Sequence, residues 1–415
     1  MTTGQSSVRL SVGYSFEPGL IERLSKIPQV KEIYGKLPMD WIGGGRSSYT
    51  MRPVLPGALS RAVTQAHGCG ITFNYLVNAA ALYGLEQTRK GQKRIRRALD
   101  HLSDIGVDAV TVSLPHLLSI IKKHNPGLRT RIGVFAQVDS AEKARQWEDL
   151  GADTICLSAI ACNRDFERLA ALRAAVKCGL QLIVNASCTP HCAWENTHMH
   201  LLSQSSAKGT RNRGFVVDYC FVSCSMRRLN DPVSYVKAVW IRPEDLGTYA
   251  AIGYSDFKVV ERSSPADLTV KRAAAYAAGS FEGNFWELIA PVAVIKKQQG
   301  IPWFQTARML ALIARPWYLP IASMLRMKRF ADGVIPHDFS PQSGPVYIDN
   351  RALDGFLDRL PQDQCRKGAC AACGFCRQWS KKAVRVDASW NGKFKSDGQS
   401  IVTGLSDGTF WGIRE

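Results

Sequence analysis

A short pattern that occurs twice in full constrains this chain more than any other feature. Residues 102–110 read L-S-D-I-G-V-D-A-V and residues 147–155 read W-E-D-L-G-A-D-T-I, with Gly106 and Gly151 forty-five positions apart. A looser copy surrounds Gly253, from Ala251 to Phe257. In each copy an amphipathic helix stops at a glycine suited to the left-handed cap, and an aspartate then precedes a β-branched or aromatic run. This is the helix-to-strand joint of a βα repeat. Short apolar runs, of the kind buried on both faces of a parallel sheet, recur at 8–13, 30–34, 71–75, 109–114, 132–137, 154–158, 182–185, 238–242 and 257–261. Their alternation with helical stretches predicts an α/β fold, a TIM-like (β/α) barrel that is closed or slightly irregular. No Gly-rich dinucleotide fingerprint follows the first strand, which disfavours an open doubly wound sheet.

In such a barrel, chemistry belongs at the C-terminal ends of the strands. The residues there are polar: Asn74, Ser113, Gln137, Ser158, Asn185, Arg242, Glu261 and Arg262. Any one of them also suits a helix cap or a loop amide, but together they outline a polar pocket. A chain of 415 residues exceeds one barrel, so the expected division is a barrel with an iron-sulfur site over 1–290, a helical linker or lid over 291–345, and a cysteine-rich region over 346–415. The segment 303–330 mixes Trp, Leu, Ile and Met with Arg308, Arg315, Arg326, Lys328 and Arg329. It suits two short helices packed across the barrel, or an interfacial lid, so peripheral membrane contact stays open. The most apolar stretch, 309–325, contains Arg315, Pro316 and Pro320, so no transmembrane helix is expected. The N-terminal residues lack the apolar core of a secretory signal. A composition of 46% hydrophobic and 21% charged residues excludes disorder as the main state, and twelve cysteines without an export signal imply reduced thiols in a cytoplasmic protein.

The cysteines form two groups. Cys188, Cys192, Cys220 and Cys224 read C-x3-C, a gap of 27 residues, and C-x3-C. Four thiolates hold either tetrahedral zinc or an iron-sulfur cluster, and the three-residue spacers at a barrel mouth favour a 4Fe-4S cluster over the tighter knuckles of structural zinc. Cys365, Cys370, Cys373 and Cys376 are denser, with a ferredoxin-like C-x2-C-x2-C core that suits a second iron-sulfur cluster or zinc. Cys69, Cys156, Cys162 and Cys178 lie in apolar strands or helices or alone and read as small buried hydrophobes. Cys69, in H-G-C-G, is the best placed thiol for a nucleophile, and no G-x-S-x-G serine motif occurs.

Between and after the first ligands lie His191, Glu195, His198 and His200. They do not follow the H-E-x-x-H pattern, so His191, Glu195 and His198 read as proton carriers or supporting groups around a metal centre, or as solvated loop residues. The formal net charge is +18, and Arg89, Lys90, Lys93, Arg94, Arg96 and Arg97 form a helical stripe extended by Lys122, Lys123, Arg129, Arg131, Arg211 and Arg213. Such a stripe is either a solvated face or a set of phosphate contacts, which makes RNA a possible partner.

The strand end V-N-A-S-C at 184–188, the segment D-Y-C-F-V-S-C-S-M-R at 218–227 and F-K-V-V-E-R at 257–262 resemble the collagenase-like peptidase family U32. The resemblance covers about residues 8–290. It implies a 4Fe-4S cluster on Cys188, Cys192, Cys220 and Cys224, and an oxygen-independent hydroxylase or related oxidoreductase acting on a small organic substrate, with prephenate as oxygen donor and a redox partner protein. The alternative it implies is an RNA base hydroxylase, and a peptidase is the third. The first cysteine pair is closer here, and the middle gap longer, than the family pattern. Glu261 stands where the family has a glycine. Arg242 and Arg262 would position an anionic group, Arg262 as a fork for a carboxylate, with Glu261 beside it.

Overall fold

The computed structural model describes residues 8–48, 50–210, 216–291, 320–335, 338–362 and 373–413. Eight parallel strands close into a barrel: β1 Arg9–Gly13, β2 Val30–Gly35, β3 Thr72–Val77, β4 Ala109–Val112, β5 Arg129–Ile132, β6 Thr154–Cys156, β7 Gly179–Ile183 and β8 Asp256–Val259. β8 pairs with both β7 and β1, so no edge is left. Helices connect the strands, and the expected TIM-like barrel is what forms.

The glycine-aspartate joints explain how the strands are set. Gly106 and Gly151 take left-handed backbone at φ 79° and 96°, ending their helices where a Cβ would be disfavoured. Two residues later, Asp108 accepts the Phe73 N–H at 2.7 Å and Asp153 accepts the Thr130 N–H at 2.7 Å, so each carboxylate pins the start of the preceding strand. The third copy has one more residue between its glycine and its aspartate. Because side chains alternate along a strand, that single residue sends the aspartate to the other face. Asp256 accordingly points into the barrel, where it accepts from Gln181 Nε2 at 2.7 Å and pairs with Arg131 at 3.4 Å.

The barrel interior is polar in its lower part and fully bonded there. Glu32 accepts from Ser11 Oγ at 2.6 Å, Asn74 Nδ2 at 3.2 Å and Arg131 Nε at 2.8 Å, while Thr111 Oγ1 donates to Asn74 Oδ1 at 2.9 Å. A buried polar network of this sort is stable only when every member is satisfied. Asn74 therefore belongs to the floor of the site and not, as its place in the sequence suggests, to the rim.

Two strand positions differ from the sequence expectation. Residues 238–242 are not a barrel strand; they run beside the segment after β7 through Ile241 N–H to Val184 O at 2.7 Å and Val239 N–H to Cys188 O at 2.9 Å. The barrel closes without them. β5 stops at Ile132 because Gly133 packs where a Cβ would lie 2.9 Å from both Ser113 Oγ and Thr111 Cγ2, and residues 134–136 turn instead.

The chain divides into two compact units that do not follow the linear order. One comprises Met1–Val216, Ala238–Phe281 and Asp354–Cys373, and holds the barrel; the other comprises Val217–Lys237, Glu282–Leu353 and Gly374–Glu415. In the barrel unit, Arg164 stacks over Trp240 at 4.4 Å and Phe356 at 5.0 Å, which is how residues far along the chain rejoin it. In the second unit the helices Tyr219–Asn230, Ile321–Val334 and Ala388–Asp407 pack together, and β9 Val346–Ile348 pairs antiparallel with β10 Val384–Val386. Asn284 ties that pair down by donating to Val346 O at 2.8 Å and accepting from Ile348 N at 2.9 Å. No helix among the described residues is long and apolar enough to cross a membrane. The lid expected at 303–330 lies outside the described residues up to 319.

Candidate active site

The C-terminal ends of the strands carry a group of buried charges. After β8, the Glu261 carboxylate is held by Arg46, whose Nε donates to Oε1 at 2.6 Å and whose Nη2 pairs with Oε2. Ser263 adds its hydroxyl at 2.8 Å. Burial alone would raise the Glu261 carboxyl, but the Arg46 charge and the Ser263 bonds hold it below the usual range. After β2, Lys36 is 1% exposed and is paired with Asp40, which also accepts from Tyr75 Oη at 2.7 Å. Burial lowers the Lys36 amine against the opposing pull of Asp40.

Among the described residues, two further cations at this end have no carboxylate partner. Arg262 is 4% exposed and has no hydrogen-bond or ion-pair partner among the described residues. Burial, with Arg46 as a like-charged neighbour, brings it down to about 10. Lys258, on β8, is 8% exposed and lies over the Tyr34 ring. Past the ends of three other strands, buried polar atoms have no hydrogen-bond partner among the described residues: Ser15 Oγ after β1, Asn78 Oδ1 after β3 and Ser113 Oγ after β4. Orphaned buried polar atoms are few in native proteins and mark places where something else binds. Buried cations in excess of carboxylates at the strand ends, with unfilled hydrogen-bonding atoms past neighbouring strands, are chemistry suited to an anion.

A triglycine loop, Gly43-Gly44-Gly45, carries Arg46 to this site and was not signalled by any motif singled out above. Asp40 Oδ1 accepts from Ile42 N at 3.0 Å and Gly43 N at 2.8 Å, which turns the chain. Gly43 adopts φ 82°, and a Cβ on Gly44 would lie 2.8 Å from Lys36 Cδ and 2.9 Å from Asn78 Oδ1. Three consecutive glycines between Trp41 and Arg46 were the available signal. The helix Glu195–Ser206 packs on the same loop through Ser206 Oγ, which accepts from Gly44 N at 2.8 Å.

Of the residues expected from sequence, Glu261 and Arg262 stand together at the mouth. Arg242 does not join them: it is 3% exposed and spent on Asp245, at 3.1 Å, and Asp354, at 2.8 Å. Asn185 acts as a strand mimic, its Oδ1 accepting from Val260 N at 2.7 Å. Glu195 opens its helix, and burial raises its carboxyl above the usual range beside Gln137. His191 occupies a left-handed turn at φ 53°, while His198 lies on the helix one turn past Trp194. His200 is exposed and lends its carbonyl to Tyr83. Cys69 ends the helix Ala58–Gly68 that leads into the start of β3, so it lies at the opposite barrel end; neighbouring His67 pairs with Asp108 at 2.8 Å. It is not part of this site.

The cysteine groups are distributed between the units. Cys188 is exposed and Cys192 half-buried in the barrel unit, where Cys188 is close enough to favour the Arg46 charge. Cys220 is buried and Cys224 half-buried one turn apart on the helix Tyr219–Asn230 of the second unit. Among the described residues no three His, Cys, Asp or Glu side chains converge to hold a metal ion. Cys365 and Cys370 lie outside the described residues; Cys373 is exposed and Cys376 half-buried. In the basic stripe, Arg94 stacks 3.7 Å from the centre of the Trp41 ring, and Arg211 and Arg213 lie outside the described residues.

Residues 44–223, which include the triglycine loop from its second glycine, match the model of peptidase family U32. A protein described as an uncharacterized protease, from Methanocaldococcus jannaschii, is 27% identical over 355 residues, covering 86% of this chain and 89% of its own. A solved U32 peptidase is 22% identical with a TM-score of 0.46, covering 62% of this chain and 94% of its own. A mandelate oxidase mutant is 12% identical with a TM-score of 0.31, covering 66% and 68%. The resemblance to the U32 family thus holds. The expectation of an iron-sulfur-dependent hydroxylase, with its RNA-modifying variant, is corrected: the matching family and the relative are both described as peptidase or protease, and neither description names hydroxylation.

Proposed function

On the premise that residues 44–223 form a U32 family region, we propose that the protein is a peptidase-like enzyme that binds a carboxylate-bearing substrate at the barrel mouth. The observation that carries this is Arg262, a guanidinium 4% exposed at the strand end with no carboxylate of its own. A buried guanidinium is fully charged and its planar fork matches a carboxylate through two parallel hydrogen bonds. Arg46 is held by Glu261 and so shapes the pocket, while Ser15, Asn78 and Ser113 offer the remaining polar contacts. Glu195, its carboxyl raised by burial, is suited to hold a proton closer to neutrality than an exposed glutamate and to pass it to a leaving group. Relatives described as proteases favour an amide as the bond attacked.

The test is cleavage of matched peptides that end in a free carboxylate or in an amide. Preference for the free carboxylate, with Arg262→Gln raising KM about tenfold or more, agrees with loss of a charged hydrogen-bond pair worth about 1.5–3 kcal/mol. Equal cleavage of both peptides, or an unchanged KM in the variant, overturns the assignment.

The thiols are a separate question. We propose, on residue type and spacing, that Cys188, Cys192, Cys220 and Cys224 take up an iron-sulfur cluster and that Cys365, Cys370, Cys373 and Cys376 hold a second cluster or zinc; the described thiols do not converge on a metal position in this structure. When bound, such a group would supply a Lewis-acid or electron-transfer centre. Iron, sulfide and zinc measured per chain in anaerobically purified protein decide the matter, and a chain free of all three removes the proposal.

A further inference from the structure

One buried amine has no part in the binding scheme just described. Lys258 projects from β8 into the closed barrel, and its Nζ lies 4.0 Å from the centre of the Tyr34 ring. A buried ammonium normally meets a carboxylate, because an unpaired charge in a low-dielectric interior is costly. Here the nearby carboxylates are already occupied: Glu32 and Asp256 by Arg131, and Glu261 by Arg46. Among the described residues Lys258 has neither a hydrogen bond nor an ion pair. The charged and titratable groups that face it are Arg131 from β5, Glu32 from β2, Cys156 from β6 and Arg262 beyond the end of its own strand. Burial pushes the Cys156 thiol up to about 11, so it stays neutral and supplies no counter-charge. Burial likewise favours the free amine of Lys258. Tyr34, which packs beneath the amine, is fixed by donating to Val259 O at 3.0 Å. A buried amine whose free form burial favours, held over the Tyr34 ring and near a guanidinium free to take an anion, is the arrangement that carbonyl chemistry uses.

We propose that Lys258 is a nucleophilic amine that forms an imine with an oxo acid whose carboxylate is seated on Arg262. The inference rests on the carboxylate assignment for its anchor but not for its chemistry. The Lys258 nitrogen attacks the carbonyl carbon, forming the N–C bond as the carbonyl oxygen takes a proton. Loss of that oxygen as water, with the second amine hydrogen, leaves the imine; no oxidant or reductant is consumed.

The experiment uses the full-length protein with pyruvate, or with acetaldehyde as a probe that lacks a carboxylate, and borohydride to reduce any imine in place. Intact mass and peptide mapping then locate the adduct. Because burial favours its free amine, Lys258 should label several-fold faster than exposed Lys90 and Lys93. Mapping in the wild-type chain needs no variant, and Lys258→Arg should then lose the adduct while keeping its thermal midpoint. Pyruvate labelling that slows in Arg262→Gln while acetaldehyde labelling does not supports both the imine and its anchor. Equal pyruvate labelling with and without Arg262 supports the imine and overturns the carboxylate anchor. Absence of a Lys258 adduct with either probe, or labelling spread evenly over exposed lysines, overturns the proposal.

Discussion

Single side chains at the barrel mouth set how its charge responds to pH. Glu261 has a folded-state pKa held below the ordinary glutamate range by Arg46 and Ser263, despite burial. Its contribution to stability is therefore fully present above the unfolded value of about 4.3 and is lost as the pH falls through the folded value. Arg46→Met leaves the carboxylate buried and unpaired, which should cost about 3 kcal/mol near neutrality. In acid, where Glu261 is protonated in both proteins, the variant and the parent should converge. Urea midpoints measured from pH 7 down to pH 3 check this, and a penalty independent of pH would show that the pair is not electrostatic. Glu195 has the opposite sign: its raised folded-state pKa favours the protonated form, so it adds stability below the ordinary glutamate value and loses it as the pH rises through the folded one.

Among the elements, the loop between β2 and the helix Ala58–Gly68 bears most directly on the site. Its backbone passes so close to Lys36 and Asn78 that a methyl group at Gly44 meets both within 3.0 Å. Lys36 cannot yield, being 1% exposed and paired with Asp40. Gly44→Ala should therefore lower stability by about 1–3 kcal/mol, the usual cost of overpacking, and displace Arg46 from Glu261. The expected signature is a lower thermal midpoint together with loss of the acid-dependent stability assigned to Glu261. An alanine variant with unchanged melting and unchanged pH dependence would mean that the loop has room to move. The polar layer under the site, Glu32 with Ser11, Asn74 and Arg131, supplies the rigid floor against which such a loop is positioned.

The chain as a whole forms two units, each drawn from separate stretches of sequence, and the second has its own packing. There the helix Ala388–Asp407 meets its neighbours at glycines: a Cβ on Gly398 would lie 2.7 Å from Phe330 Cε2 and closer still to Met226 Sδ. Gly398→Val forces these helices apart and should cost about 1–3 kcal/mol or more in that unit. Scanning calorimetry should show the loss, while retained Lys258 chemistry would show that the barrel is intact. A variant that melts as the parent does would contradict the close helix contact.

The repeated glycine-aspartate joint and the short apolar strands determined the barrel, because helix caps and strand alternation are local consequences of residue type. Glu261 and Arg262 were legible for the same reason, as polar residues where an apolar strand ends. What the sequence could not decide was pairing. That Arg242 reaches Asp354, that Arg46 takes Glu261, and that Asn74 lies in the barrel floor all depend on which residues distant in the chain come within 3 Å of one another. Tertiary structure alone left Arg262 and Lys258 without carboxylates among the described residues, since the net charge of a site is fixed only after every nearby acid has found its base.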